Sequence, residues 1–289
     1  MNTLKRNILW DLGNTLVKVD DFSFARHLGL VDLAIYSLRN QTSPKKLVSR
    51  ALDFLDTITC KQHAACSTTF AGRTLPPIVC DWLTGKISSS AALSTSEKPF
   101  PLAIPAHFFS STQEERLVKN LLKTIANPEI FAHCVRIIDD ALCLLKECAQ
   151  QVDQQGNPAH NLFIFSNWDK KSYEQLIKST YTQELFSYFK PSHQIISGRI
   201  GYVKPEDEAF SYVIHTYNLV PSECILIDDQ EENIRAAQRN GLQGILLEHS
   251  NFQKVRSQLQ NYRVLPKQYA VVMVLTSSKL KICILKKVI

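Results

Sequence analysis

The sequence lacks any apolar run approaching the roughly 18 residues a membrane-spanning helix needs. The longest near the C-terminus, Tyr269 to Leu275, is far too short. No integral membrane segment is therefore expected. The opening Met-Asn-Thr-Leu-Lys-Arg-Asn-Ile-Leu-Trp-Asp11 holds too short an apolar stretch for a signal-peptide core and ends on an acid. Also missing is a Cys-x-x-Cys pair among the eight cysteines, Cys60, Cys66, Cys80, Cys134, Cys143, Cys148, Cys224 and Cys283, which argues against a zinc site. Several of them sit in apolar runs and read as buried free thiols, suited to a reducing cytoplasm. His63, His107, His133, His193 and His215 show no metal-binding spacing and read as surface or satisfied core residues. A basic body is missing too. The net charge is +6, but Arg263, Lys267, Lys279, Lys281, Lys286 and Lys287 lie in a tail without acids, so residues 1–262 are close to neutral. That excludes the basic face a nucleic-acid binder requires.

What is present is a chain of 289 residues, 45% hydrophobic, enough for one large or two smaller cores. Four apolar runs, Ile8–Trp10, Leu162–Phe165, Cys224–Ile227 and Gly244–Leu247, are continuous rather than alternating. That pattern predicts strands buried on both faces of a parallel sheet, with Gln194–Ser197 a weaker fifth. Helical spacing lies between them at Val135–Gln150, Lys171–Ser179, Asp207–Tyr217 and Glu231–Asn240. Strands alternating with helices predict an α/β fold, a Rossmann-like parallel sheet with helices on both faces. From about Asp20 to Asn127 the rhythm breaks into helices at Phe22–Leu38, Pro44–Thr59, Ile78–Leu83 and Gln113–Ala126, a mostly helical insertion after the first strand. The expected division is a core of residues 1–19 and 130–262, an insertion of 20–129, and a tail of 263–289 resembling a small hairpin, Gln268–Leu275 and Lys279–Ile289.

Three buried runs end in polar residues: Trp10-Asp11-Leu12-Gly13-Asn14-Thr15, Phe165-Ser166-Asn167 and Ile227-Asp228-Asp229. Ligands of open parallel sheets bind at the carboxyl ends of strands, so these side chains should converge on one crevice. Carboxylates placed together repel unless a cation lies between them, and oxygen-only ligands favour a hard ion such as Mg²⁺. Mg²⁺ beside a carboxylate nucleophile points to phosphoryl transfer through an aspartyl-phosphate. Gly201-Tyr-Val-Lys204-Pro205 adds a cation, read as the start of a helix, which would neutralise a phosphate and keep Asp11 ionised. Thr15 and Ser166 would add hydroxyl hydrogen bonds. Trp168 is a candidate for the pocket border, and Arg73 and Trp82 are candidates to reach substrate from the insertion.

Asp-Leu-Gly-Asn-Thr-Leu, Phe-Ser-Asn, Gly-Tyr-Val-Lys-Pro and Leu-Ile-Asp-Asp resemble motifs one to four of the haloacid-dehalogenase superfamily, over residues 7–20 and roughly 130–250. The insertion resembles that family's helical cap. The resemblance implies Asp11 as nucleophile and metal ligand, the Gly13 carbonyl as a second ligand, and Asp229 as the direct carboxylate ligand with Asp228 assisting. It implies phosphate contacts from Thr15, Ser166, Asn167 and Lys204, Mg²⁺ as cofactor, and a small phosphorylated metabolite, a sugar phosphate or nucleotide, as substrate. One position departs. Most phosphatases of the family carry a second Asp two residues after the nucleophile as acid and base; here it is Gly13. General acid–base help is commonly worth about 10²–10⁴ in rate. Members reading Asp-Leu-Gly-Asn resemble a subgroup that includes sugar-phosphate phosphatases. Two other readings stay open: a weakly active or non-catalytic protein on the same scaffold, and a metal-free dehalogenase, which has no use for the Asp228-Asp229 pair.

Overall fold

A computed structural model describes residues 5–40, 45–58, 68–70, 73–88, 108–267, 270–276 and 279–285. β1 (Arg6–Trp10) and β2 (Val17–Val19) lead into α1 (Asp21–Leu28), α2 (Leu30–Asn40) and α3 (Lys45–Ile58). β3 (Thr69–Phe70), β4 (Arg73–Thr74) and α4 (Pro77–Leu83) follow, then α5 (Thr112–Ala126), α6 (Pro128–His133) and β5 (Val135–Ile137). The chain then alternates: α7 (Asp139–Ala149), β6 (His160–Ser166), α8 (Lys170–Lys178), α9 (Gln183–Phe186), β7 (Gln194–Ile196), α10 (Ser197–Ile200) and α11 (Asp207–Thr216). β8 (Cys224–Asp228), α12 (Glu231–Arg239), β9 (Gln243–Leu246) and α13 (Phe252–Asn261) complete that part, and β10 (Ala270–Thr276) pairs antiparallel with β11 (Lys279–Leu285).

The five parallel strands run β7-β6-β1-β8-β9. Alternate residues face opposite cores, which is why the runs are apolar throughout. Ile8, Trp10, Ile164, Ile225 and Ile227 meet α7, α8 and α13 on one face. Leu9, Phe163, Phe165 and Leu226 meet α11 and α12 on the other. Each such side chain contributes roughly 1.5–3 kcal/mol by burial. The order matters for function. From β1 the chain moves to β6 and β7 on one side, then returns to β8 and β9 on the other. Strand order therefore reverses at β1, and the crevice of such a sheet opens at that reversal. Among the described residues no helix is long and apolar enough to cross a membrane.

Between β2 and β5, which pair antiparallel with Val17 opposite Ile137, the insertion folds around its own core of Leu28, Tyr36, Leu47, Phe54, Leu117 and Leu121. Two expected helices differ from what forms. Phe22–Leu38 is two helices, because Gly29 at φ +98 ends the first. Val135–Gln150 begins with β5, since three residues paired with β2 carry no period that separates strand from helix. Cys134, Cys148 and Cys224 are buried free thiols, and burial pushes Cys148 up to about 12 and Cys224 up to about 11. Cys143 is free but exposed, and Cys80 is disulfide-bonded, against the expectation of free thiols. Local pattern carries no information on pairing. His133, His193 and His215 each bond a main-chain carbonyl, as satisfied residues should. His63 and His107 lie outside the described residues.

Glu114 organises the insertion. Ser111 caps α5 by accepting from Glu114 N–H at 3.1 Å, and the Glu114 carboxylate turns back to the Ser110 N–H (2.7 Å), the Ser110 hydroxyl (2.8 Å), Arg50 Nε (3.0 Å) and Tyr36 Oη (3.3 Å). Burial opposes its charge, but these donors prevail and hold the carboxyl below its usual range. A depressed carboxyl stabilises above its unfolded value, near 4.3, and loses that contribution as pH falls through the folded value. Glu114→Ala should cost about 2–3 kcal/mol in urea titrations at pH 7. The gap to wild type should shrink below about pH 4. A constant gap across pH would mean the carboxylate charge is not what stabilises.

Candidate active site

The ladder of the central strand runs one residue past β1: Asp11 N–H donates to the Ile227 carbonyl at 2.9 Å. The chain then turns sharply. Leu16 and Val17 N–H groups donate to the Leu12 carbonyl, Asn14 N–H donates to Val17 O at 2.7 Å, and Asn14 adopts φ +55, a conformation its short side chain tolerates. Asp11, 7% exposed, therefore stands at the carboxyl end of the middle strand. Ser166 ends β6 on one side of it and Asp228 ends β8 on the other; both are buried.

Lys204 reaches this point from the loop after α10. It is 1% exposed, and its Nζ donates to Asp11 Oδ1 at 2.8 Å and to Asp228 Oδ2 at 2.5 Å. The lysine does not start a helix, as its Lys-Pro context implies; α11 begins at Asp207. Its backbone is instead held by Asn167, which accepts from Lys204 N–H at 2.8 Å and donates Nδ2 to the Lys204 carbonyl at 2.7 Å. A turn from Glu206 N–H to Val203 O at 3.0 Å completes the loop. Both polar atoms of the Asn167 side chain are thus spent on the lysine loop rather than turned to the carboxylates.

Asp228 is the most fully partnered acid of the cluster. Besides Lys204 it accepts from Gln230 N–H at 2.9 Å and from Asn233 Nδ2 at 3.0 Å to each oxygen. Asp229 receives Asn14 Nδ2 at 3.2 Å, while its Oδ1 is buried with no hydrogen-bond partner among the described residues. Carboxylate oxygens of Asp11, Asp228 and Asp229 lie within 4.8 Å of one another. Three acids against one ammonium leave a formal charge of −2, and the titration of Asp11 and Asp229 reflects it. Burial chiefly, with the neighbouring acids, pushes Asp11 up to about 7 despite Lys204. Burial and Asp228 push Asp229 up to about 6. Burial disfavours the Lys204 ammonium, but Asp11 and Asp228 outweigh it and raise the lysine.

Thr15 is fully buried and its hydroxyl has no partner among the described residues. Trp168 borders the nucleophile loop: a Cβ on Gly13 would sit 3.9 Å from its ring carbon Cζ3, and the ring packs on Phe131. Arg73 is turned away, bound to Asp53 (2.5 Å) and Asp56 (2.6 Å) of α3. Trp82 lines a small apolar cavity inside the insertion with Leu55, Ile78, Val79 and Leu122. Sequence reasoning passed over Asn14 and Asn233. The positive φ of a tight turn favours Asn at the first, and the second lies on the first turn of the helix after the Asp pair.

A family model described as HAD-hydrolase-like matches residues 202–272. No curated protein matches. Among solved structures, the chain is 16% identical to a HAD family enzyme of Bacteroides thetaiotaomicron in complex with magnesium and inorganic phosphate, at a TM-score of 0.46 over 84% of this chain and 93% of that one. It is 14% identical to a HAD phosphatase from Thermococcus onnurineus, at a TM-score of 0.47 over 88% and 97%. It is 14% identical to a dehalogenase with an intermediate complex, at 0.47 over 87% and 88%. The family match takes in Lys204, Asp228 and Asp229.

Proposed function

We propose that the protein is a Mg²⁺-dependent phosphohydrolase acting on a small phosphorylated metabolite, with Asp11 as nucleophile. The observation that carries this reading is the uncompensated carboxylate cluster around a buried lysine. A formal excess of −2 is what a divalent cation cancels. The donor set is all oxygen, which suits Mg²⁺. The unpartnered Oδ1 supports Asp229 as the direct ligand beside Asp11 and the Gly13 carbonyl. Asp228, with both oxygens occupied by Lys204, Gln230 and Asn233, supports from behind. When bound, the ion would draw charge from the phosphoryl oxygens and lower both raised carboxyls.

The protein's own groups supply the rest. Lys204 neutralises Asp11 and faces the incoming phosphate, while the Thr15 and Ser166 hydroxyls donate to its oxygens. An Asp11 carboxylate oxygen bonds to phosphorus as the ester P–O bond breaks, and the leaving alkoxide takes its proton from water. Water then attacks phosphorus, the P–O bond to Asp11 breaks, and inorganic phosphate leaves with the carboxylate restored. Asn167 serves by holding the lysine loop through its side chain. The sugar-phosphate and nucleotide classes both suit the charge of the site. The cytoplasm remains the proposed location.

The test is phosphate release from a panel of phosphorylated metabolites and an aryl phosphate, with Mg²⁺ and with EDTA. Release that needs Mg²⁺ supports the reading. No release from a folded protein that binds Mg²⁺ would move it to a binding role. Gly13 offers a second check. Its φ is not in the left-handed region and, among the described residues, a Cβ there meets only the Trp168 edge at ordinary contact distance, so a side chain fits. Gly13→Asp should raise turnover on poor leaving groups by about tenfold or more, a part of what general acid–base catalysis supplies. An unchanged rate would place a proton donor elsewhere in the site.

A further inference from the structure

Two contacts join one short segment of the insertion to the loops that carry the site. Thr68, 2% exposed, donates its hydroxyl to the main-chain carbonyl of Lys204 at 2.9 Å. This is the carbonyl that Asn167 Nδ2 already holds at 2.7 Å. At the far end of the segment, the Leu83 carbonyl accepts from Ser197 Oγ at 2.7 Å, and the same Oγ accepts from Trp168 N–H at 2.9 Å. There Gly85, at φ +75, lies directly on Gly198: a Cβ on Gly85 would fall 2.7 Å from the Gly198 carbonyl oxygen, and one on Gly198 would fall 2.5 Å from Lys170 N. Backbone touches backbone, so residues 83–85 are seated without slack on the segments that follow β6 and β7.

We propose that Thr68 is a positioning residue for the phosphoryl transfer. Its hydroxyl fixes the peptide of the catalytic lysine from the insertion, so Lys204 lies correctly between Asp11 and Asp228 only while Thr68 is seated. The inference rests on the role of Lys204 proposed above. A carbonyl oxygen has two lone pairs. Asn167 fills one from the core and Thr68 fills the other from the insertion. The Lys204 side chain extends from that peptide to two carboxylates at 2.5 and 2.8 Å, which leaves little tolerance for displacement. A shift of about 1 Å in a reacting group is enough to cost roughly 10²-fold in rate.

The test compares wild type with Thr68→Val, which keeps shape and loses the donor, Thr68→Ser, which keeps the donor, and Thr68→Ala as a second donor-free variant should valine disturb folding. Two quantities are read: hydrogen exchange at the Lys204 backbone amide, and kcat and KM for an aryl phosphate with Mg²⁺. Loss of the donor should speed that exchange about fivefold, the effect of one net hydrogen bond. It should lower kcat about tenfold to a hundredfold, with KM within about twofold. Serine should restore both. Unchanged exchange in both donor-free variants would overturn the tether. Faster exchange at wild-type kcat would overturn the positioning role, and so would a serine variant as poor as valine, which would assign the effect to the methyl group. A wild-type protein that turns over no phosphate ester would overturn the phosphatase reading itself, and the exchange data would still report separately on the tether.

Discussion

Asp11→Asn should lower phosphate release by at least about 10⁴-fold, the scale seen when a covalent nucleophile is removed. Its fold should survive. The carboxyl it replaces is pushed up to about 7 by burial and by Asp228 and Asp229, so the folded state gains little from its charge. The amide oxygen of asparagine can still accept from Lys204. Thermal unfolding should therefore occur at the wild-type temperature or slightly above, because one member of a repelling cluster has been neutralised. Retention of more than about 1% of wild-type turnover would exclude Asp11 as nucleophile, since neighbouring groups cannot replace it.

Lys204→Met should be damaging in both respects. It leaves Asp11 and Asp228 facing each other in a buried site without their shared cation. Breaking a buried ion pair from one side costs about 3–5 kcal/mol. The penalty should depend on pH in a defined direction. Asp11 in the folded protein already lies above the unfolded carboxyl value of about 3.9, and without the lysine it rises further. Such a group costs nothing where both states are protonated, then costs progressively more as pH climbs toward the folded value. The variant should thus come closest to wild type near pH 5 and fall furthest behind above pH 8. Denaturation midpoints at the two pH values decide the matter. A gap that is equal at both, or widest in acid, would mean that lost packing rather than unpaired carboxylates causes the loss. Turnover should fall by at least about 10³-fold, since Lys204 serves both the nucleophile and the phosphate in the proposed reaction.

The central strands were legible because burial on two faces leaves a continuous apolar run, as at Ile8–Trp10 and Cys224–Ile227. The acids were legible for a related reason. A polar residue that stops such a run must lie at a strand end, and the carboxyl ends of β1 and β8 are neighbours. β5 was not, because three residues paired across the stem with β2 look no different from the first turn of a helix. The position of Lys204 was read only in part. A Lys-Pro step resembles a helix start, whereas the loop is held from afar by Asn167 and Thr68. Thr68 itself carried no local signal: its partner lies 136 residues away. Nor did anything local show that Arg73 turns back to Asp53 and Asp56 rather than toward the site. Long-range polar contacts leave no periodicity in a sequence, and the supporting residues of this site are of that kind.

Gly13 also shapes how the reaction should be observed. Without a carboxyl at that position to activate water, the second step should be the slower one, and phosphorylated Asp11 should accumulate during turnover. The most direct measurement is therefore an acid quench of the protein turning over a ³²P-labelled aryl phosphate with Mg²⁺, followed by peptide mapping. The expected result is label on the peptide that contains Asp11, released by hydroxylamine as an acyl phosphate and absent from Asp11→Asn. Steady phosphate release with no label on that peptide, or label carried by another residue, would contradict the assignment of Asp11 as the phosphoryl acceptor.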